Sequence, residues 1–237
     1  MQRSGGGTLS CEIKVNSRRP LIPTVPRLKP LHKHSLLLVH GFAVTSCVFR
    51  PLLRRLNDVS TSAELFRYPS VGLELAEIAE RLSRHLRDTP PDSIIAHSLG
   101  CIASWYAIRE ADWRGPIVLL APPLKTLPLT RLIPSFARMP FGPLLDHRDL
   151  FTDSEFRLPT LPGCTIQTIA GRNDILVPLS CTRHADVSTA WVTMHTHNSM
   201  LFSPSVARRC LSWTAGNEEC GEPSDATERR SRAFWSG

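Results

Sequence analysis

The sequence has no apolar run approaching the ~20 residues that a bilayer-spanning helix needs. Its N-terminus, Met1 to Val15, also lacks the continuous apolar core of a secretory signal. There is no CxxC pair. The seven cysteines, at 11, 47, 101, 164, 181, 210 and 220, are odd in number and scattered. That spacing speaks against a disulfide framework and for reduced thiols, so a cytoplasmic protein is expected. Several of these cysteines lie inside apolar runs, where cysteine behaves as a small hydrophobe. Aromatic residues are missing among the N-terminal basic positions, which removes the stacking platform that single-stranded nucleic acid uses. No nucleic-acid partner is expected, and no internal repeat points to a solenoid.

What is present is an ordinary globular composition with a basic excess. Apolar residues make up 42% of the 237 and charged residues 21%, which excludes disordered and fibrous classes. A chain of this length can form one full domain that buries roughly 70–75% of its unfolded surface. The formal charge is +7, and much of the excess precedes the first strong apolar run, at Arg3, Lys14, Arg18, Arg19, Arg27, Lys29 and Lys33. With Pro20, Pro23, Pro26 and Pro30 fixing φ and removing donors, residues 1–34 read as an extended basic arm, with a short edge strand over Thr8 to Val15 as the alternative within it. Residues 216–237 are polar and charged with little apolar patterning and read as a tail. The folded domain is therefore expected over residues 35–215.

Inside that domain, Leu36 to Val39 is apolar without alternation, as suits a strand covered on both faces. Further strands are expected at 63–67, 93–96, 116–120, 165–170 and 190–194. Apolar residues at 71, 75, 78, 79, 82 and 86 recur at helical spacing and predict an amphipathic helix over 71–86. Another helix is expected directly after Ser98, and a last one over 203–213. Strands alternating with helices predict an α/β fold, a mostly parallel, doubly wound sheet with helices on both faces. Residues 122–160 break the rhythm. Rich in Pro and Leu, this segment reads as a lid or as an irregular insert.

Ala96-His97-Ser98-Leu99-Gly100 lies between a buried strand and a helix. A serine hydroxyl is a weak nucleophile and needs exposure, a base and a site for the oxyanion. A tight strand-to-helix turn pushes the Oγ outward and aims the next amide at the reacting carbonyl. Small residues on either side, here Ala96 and Gly100, let the backbones crowd. The alternative role for Ser98 is a helix N-cap. His97 is expected to pack beside the site. His40-Gly41-Phe42 follows the first strand, and its glycine allows a sharp turn and a close approach. The Phe42 and Leu99 N–H groups are the candidate oxyanion donors.

These residues resemble the α/β-hydrolase superfamily, and are most similar to small bacterial lipases and esterases whose elbow reads Ala-His-Ser-x-Gly. The resemblance spans about residues 35–213 and includes Leu-Leu-Val-His-Gly-Phe, the step Tyr68-Pro69-Ser70 and Leu-Leu-Ala-Pro-Pro at 119–123. It implies a catalytic set in the chain order Ser, acid, His. Asp174 sits in a stretch, Gly171 to Pro178, similar to the family's Gly-x-x-Asp-x-x-Val-Pro loop, and is the implied acid; Asp146 and Asp186 are rivals that follow no convincing strand. His197, followed by Asn-Ser-Met-Leu, fits the family's histidine loop better than His195, which is expected to close the strand. The sequence departs from the family in three ways: Ala96 replaces the first elbow glycine, no Gly-Ser step occurs near Leu124 to Leu127, and the usual first two strands are reduced or absent.

The expected function is hydrolysis of carboxylic esters, lipase- or carboxylesterase-like, by Ser98, His197 and Asp174 through an acyl-enzyme. Acyl transfer, thioester hydrolysis and amide hydrolysis with the same residues are the enzymatic alternatives, and a non-catalytic binding protein on the same fold is the other. No cofactor is required. His195-Thr-His197 and His32-Lys-His34 form His-x-His pairs, but no further ligands are identifiable, so no metal is expected. The expected partner is a small-molecule or lipid ester. The apolar segment 129–141 suits an acyl chain or transient contact with a membrane surface. No obligate protein partner is expected.

Overall fold

The computed structural model describes residues 33–43, 46–58, 60–69, 71–153 and 158–216. The basic arm through residue 32, with its edge strand, Ser70 and the tail from residue 217 onward lie outside the described residues.

Six strands form one sheet: β1 (His34–Val39), β2 (Thr61–Phe66), β3 (Ser93–His97), β4 (Pro116–Leu120), β5 (Thr165–Gly171) and β6 (Thr189–Thr193). Their order is β2-β1-β3-β4-β5-β6 and every pairing is parallel. Among the described residues five α-helices accompany them: α1 (Ser46–Leu56), α2 (Leu75–Asp88), α3 (Leu99–Ala111), α4 (Arg138–Thr152) and α5 (Pro204–Thr214).

Strands β1, β3 and β4 carry near-continuous apolar runs because both their faces are covered, while the edge strands β2 and β6 keep polar, part-exposed positions; successive side chains point to opposite sides. Leu37, Val39, Ile94, Ala96, Ile117 and Leu119 join the core with α2 and α3. Their neighbours in the chain, Leu36, Leu38, Ile95, Val118 and Leu120, join the core with α1 and α5. Helix α3 is buried along most of its length, from Leu99 to Trp105 and again at Ala107 and Ile108. Helix α2 is amphipathic as its spacing requires: Leu75, Ile78, Ala79, Leu82 and Leu86 are buried. It begins at Leu75 rather than 71, because Glu74 and Glu77 form a capping box there; Val71 lies before the helix and is exposed.

Two elements depart from the sequence reading. Helix α1 was not expected, since Pro51 interrupts its pattern. Residues 122–160 contain an ordered helix, α4, together with a 3₁₀ turn at Pro128–Leu132. Non-helical backbone at Met139 and Phe141 kinks the start of α4. Several bonds fix α4 to the domain. Asp146 Oδ2 accepts the Leu75 N–H at 2.9 Å and so caps α2. The buried His147 donates from Nε2 to the Pro123 carbonyl at 2.7 Å, and the Thr126 hydroxyl donates to the Phe151 carbonyl at 2.6 Å.

The chain leaves β1 to one side to make β2 and then crosses to the other side for β3. The strand order therefore reverses between β1 and β3, and the crevice beyond their carboxyl ends is where sheets of this kind hold ligands.

Candidate active site

The loops after β1 and β3 meet at that crevice. Ser98 follows β3 directly with φ 55° and ψ −131°. A residue with a side chain adopts this region only at a cost of roughly 1–3 kcal/mol, so the surrounding structure must enforce it. The enforcement is visible in the packing. A Cβ at Gly100 would stand 2.3 Å from the His40 carbonyl oxygen, and one at Gly41 would stand 2.7 Å from Ser98 Cβ and 3.2 Å from its Oγ. Two glycines thus let the β1 loop, the elbow and α3 press together. The Ser98 N–H donates to the Leu120 carbonyl at 2.9 Å, which ties the turn to the end of β4.

Ser98 is half-buried. Its hydroxyl meets His197 Nε2 at 2.9 Å, and His197 Nδ1 meets Asp174 Oδ2 at 2.7 Å. The imidazole of His197 is 11% exposed and the carboxylate of Asp174 is fully buried. The other carboxylate oxygen, Oδ1, accepts the N–H groups of Leu176 and Val177, each at 2.9 Å. Asp174 therefore keeps both oxygens occupied without a cation, and its charge is spread over two amides and one imidazole. Its loop is held close to the His197 loop, since a Cβ at Gly171 would lie 2.3 Å from the His195 carbonyl oxygen. The chain order is Ser98, Asp174, His197, each at the carboxyl end of its own strand, β3, β5 or β6.

Two more histidines surround this set. His97 is fully buried and donates from Nε2 to the His197 carbonyl at 3.0 Å. Its ring lies 4.8 Å from the His197 ring. Burial, and then the nearby His197, push its pKa down to about 3, so it is neutral at ordinary pH. His40 is buried and stacks on Tyr68 at 4.1 Å. Its Nδ1 donates to the Gly41 carbonyl at 3.0 Å, and the Tyr68 hydroxyl donates to the His40 carbonyl. Burial lowers the His40 pKa too. Its contacts hold the backbone leading into Gly41 and Phe42.

Leu99 opens α3, and the first amides of a helix have no carbonyl within it to bond. Phe42 follows Gly41, and its ring packs 6.0 Å from that of Phe141 on α4. The segment between β4 and β5 thus walls one side of the crevice.

The alpha/beta hydrolase family model matches residues 36–217. The chain belongs to the alpha/beta hydrolase family. Solved structures share the fold of this hydrolase-family chain at low identity. The esterase domain of a Rhodothermus marinus protein is 16% identical, with TM-score 0.53 over 79% of this chain and 88% of that one. A metagenomic carboxyl esterase is 15% identical, with TM-score 0.57 over 77% and 74%. A Xanthomonas campestris pv. campestris protein assigned to the alpha/beta hydrolase superfamily is 14% identical, with TM-score 0.53 over 76% and 99%. None of the curated proteins matches the sequence.

The other candidates in this alpha/beta hydrolase lie elsewhere. Asp146 caps α2. The Asp186 N–H bonds the His184 ring, and the His195 backbone N–H donates to Thr193 Oγ1 at 3.1 Å; the imidazole bonded to Ser98 is that of His197. A second Ser-His-Asp group occurs at the amino edge of the sheet, where His34 Nε2 lies 2.8 Å from Ser93 Oγ. There Ser93 is fully buried, and Asp92 Oδ2 is 4.0 Å from His34 and already bonded by the Ser35 N–H and hydroxyl. That group has no exposed nucleophile. Among the described residues no cluster of His, Cys, Asp and Glu suits a metal ion, and no helix is long and apolar enough to cross a membrane. A cavity of about 610 Å³ between α2, α3 and α4, walled by Glu74, Tyr106, Glu110 and Asp146 among others, shares no residue with the Ser98 set. Hydrogen-bond geometry, rather than concavity, marks the candidate site. The sequence reading did not anticipate Tyr68 as the partner of His40, although it singled out Tyr68-Pro69; only the parallel pairing of β1 with β2 brings the two rings together.

Proposed function

We propose that the protein hydrolyses carboxylic esters, with Ser98 as nucleophile, His197 as general base and Asp174 as the acid that orients the base. The observation that carries this reading is the pair of hydrogen bonds, 2.9 Å and 2.7 Å, that join the three side chains at a strained strand-to-helix turn. In this mechanism His197 Nε2 takes the Ser98 proton as Oγ bonds to the ester carbonyl carbon. The carbonyl oxygen becomes an oxyanion facing the Phe42 and Leu99 amides, and the dipole of α3 favours its charge. The tetrahedral intermediate expels the alcohol, which leaves with the proton from His197. A water then gives its proton to His197 as it bonds to the acyl carbon, and the second intermediate breaks its bond to Oγ, which takes that proton back from His197 and frees the carboxylic acid. Asp174 fixes the tautomer with Nε2 unprotonated at the start and stabilises the imidazolium when it forms. No cofactor enters these steps.

The ester is favoured as substrate because two of the structurally similar proteins are described as esterases. The test is labelling by a fluorophosphonate probe together with turnover of a short p-nitrophenyl ester. Wild type should label and turn over; Ser98→Ala should do neither, with turnover lower by at least about 10⁴-fold. Undiminished turnover in Ser98→Ala would reject the assignment, and wild type that neither labels nor turns over would mark a binding protein on this fold. Thioester and anilide substrates, run in parallel, separate the alternative acyl chemistries.

A further inference from the structure

The loops around Ser98 expose side chains that a buried core would normally hold. Leu132, Phe136 and Met139, in the segment from the end of β4 through the start of α4, are 78%, 91% and 81% exposed. On the other side of the crevice Ile175 and Leu176 directly follow Asp174, and Met194 follows β6; all three are exposed. Scattered exposed apolar residues are unremarkable, but six in the segments that flank one candidate site are a concentration that calls for a partner. Phe141, two residues beyond Met139, packs on Phe42, so the first group borders the crevice. Arg148 holds the same segment in place by bonds to the Ile133 carbonyl at 2.9 Å and the Ser135 hydroxyl at 3.1 Å.

The exposed charges beside these residues are mostly basic; Asp149 and Asp153, which share a cavity with Arg131 and Arg148, are the acids near them. Residues 40–56, 121–145 and 189–216 contain no Asp or Glu. Lys125, Arg131 and Arg172 are exposed there, and Asp174, the one acid in the loop after β5, is buried. Apolar tips beside basic groups match the boundary of an anionic bilayer, where the tips enter the acyl region and the cations meet headgroup phosphates. A second copy of the chain fits less well, because two such rims would bring like charges together.

We infer that this rim docks on anionic phospholipid surfaces and presents Ser98 to ester groups held in the bilayer. The inference rests on the proposed hydrolysis for its choice of substrate and on the exposed rim for the docking itself. The test uses the full-length chain carrying Ser98→Ala, so that lipid is not consumed, and sedimentation with phosphatidylglycerol or phosphatidylcholine vesicles. Binding to phosphatidylglycerol should exceed binding to phosphatidylcholine and weaken in high salt. Leu132→Ser, Phe136→Ser and Met139→Ser together should weaken it by at least about tenfold, with the unfolding temperature unchanged. Phe136→Ser alone should weaken it in the same direction. No binding to phosphatidylglycerol, equal binding to both lipids, or binding that survives the triple substitution would each overturn the inference. So would a dimer that the triple substitution abolishes, since the rim would then face a second copy. The two readings fail separately. A chain that hydrolyses soluble esters but ignores vesicles fails only here, whereas one that binds vesicles but never labels with fluorophosphonate fails only as a hydrolase.

Discussion

His97 touches the proposed base twice, through its ring and through a bond from Nε2 to the His197 carbonyl. A leucine of similar volume would fill the space but leave that carbonyl without its donor, a loss worth about 1–3 kcal/mol. A glutamine amide can still reach the carbonyl. If His97 is a positioning residue, His97→Leu should lower kcat on a p-nitrophenyl ester by about tenfold or more with KM little changed, and His97→Gln should recover most of the rate. A pure packing role gives the opposite order, with Leu the better substitute. Steady-state kinetics of the three proteins decide between them. The glycines at 41, 100 and 171 act at this same scale, each keeping open a backbone approach that a single methyl group would close.

At the scale of elements, α4 joins the crevice wall to the rest of the domain, and its strongest tie is the Asp146 carboxylate on the first amide of α2. Asp146→Ala removes a charged acceptor from a helix N-terminus and should destabilise the fold by about 1 kcal/mol, read as a lower midpoint in urea unfolding. How far the elements were legible in the sequence follows from their burial. Strands β1, β3 and β4 are covered on both faces, so their apolar runs are continuous and easily seen. Helix α2 has one wet face, so its spacing shows, although Val71 extended the stripe past the true start. Helix α1 has the same kind of stripe in Phe49, Leu52 and Leu56, all fully buried, but Pro51 hides it. Helix α4 starts through Pro140, Gly142 and Pro143 and is kinked there, so neither propensity nor spacing reveals it. The three proposed catalytic side chains were legible for another reason: their neighbours match the family's motifs, the glycine that closes the elbow, the Val-Pro after the acid, and the polar pair and then apolar residue after the histidine. The burial of His97 against the base was not legible, since that contact spans a hundred residues of chain.

Across the whole molecule, the fold buries histidines that the unfolded chain would expose. Burial lowers the pKa of His97 to about 3 and that of His147 to about 4, from 6.5 in the open chain. Between pH 6.5 and about 4 the unfolded chain therefore binds protons at both sites that the folded chain refuses. Stability should fall on acidification by about 1.4 kcal/mol per pH unit for each of the two, once the pH is below 6.5. Urea midpoints measured from pH 7 to 5 should show this slope, and His147→Gln should roughly halve it, leaving the His97 share; a midpoint independent of pH would mean that these rings are accessible in the folded state.

From β3 onward the sheet grows outward in chain order, β3, β4, β5, β6, each new strand laid against the last. During synthesis on the ribosome the strand bearing Ser98 would find its partners early, the strand before Asp174 later, and the edge strand before His197 last of all. A nascent or truncated chain would thus carry a formed elbow without the proposed base, and on the proposed mechanism it would stay inert toward esters until its final strand had joined.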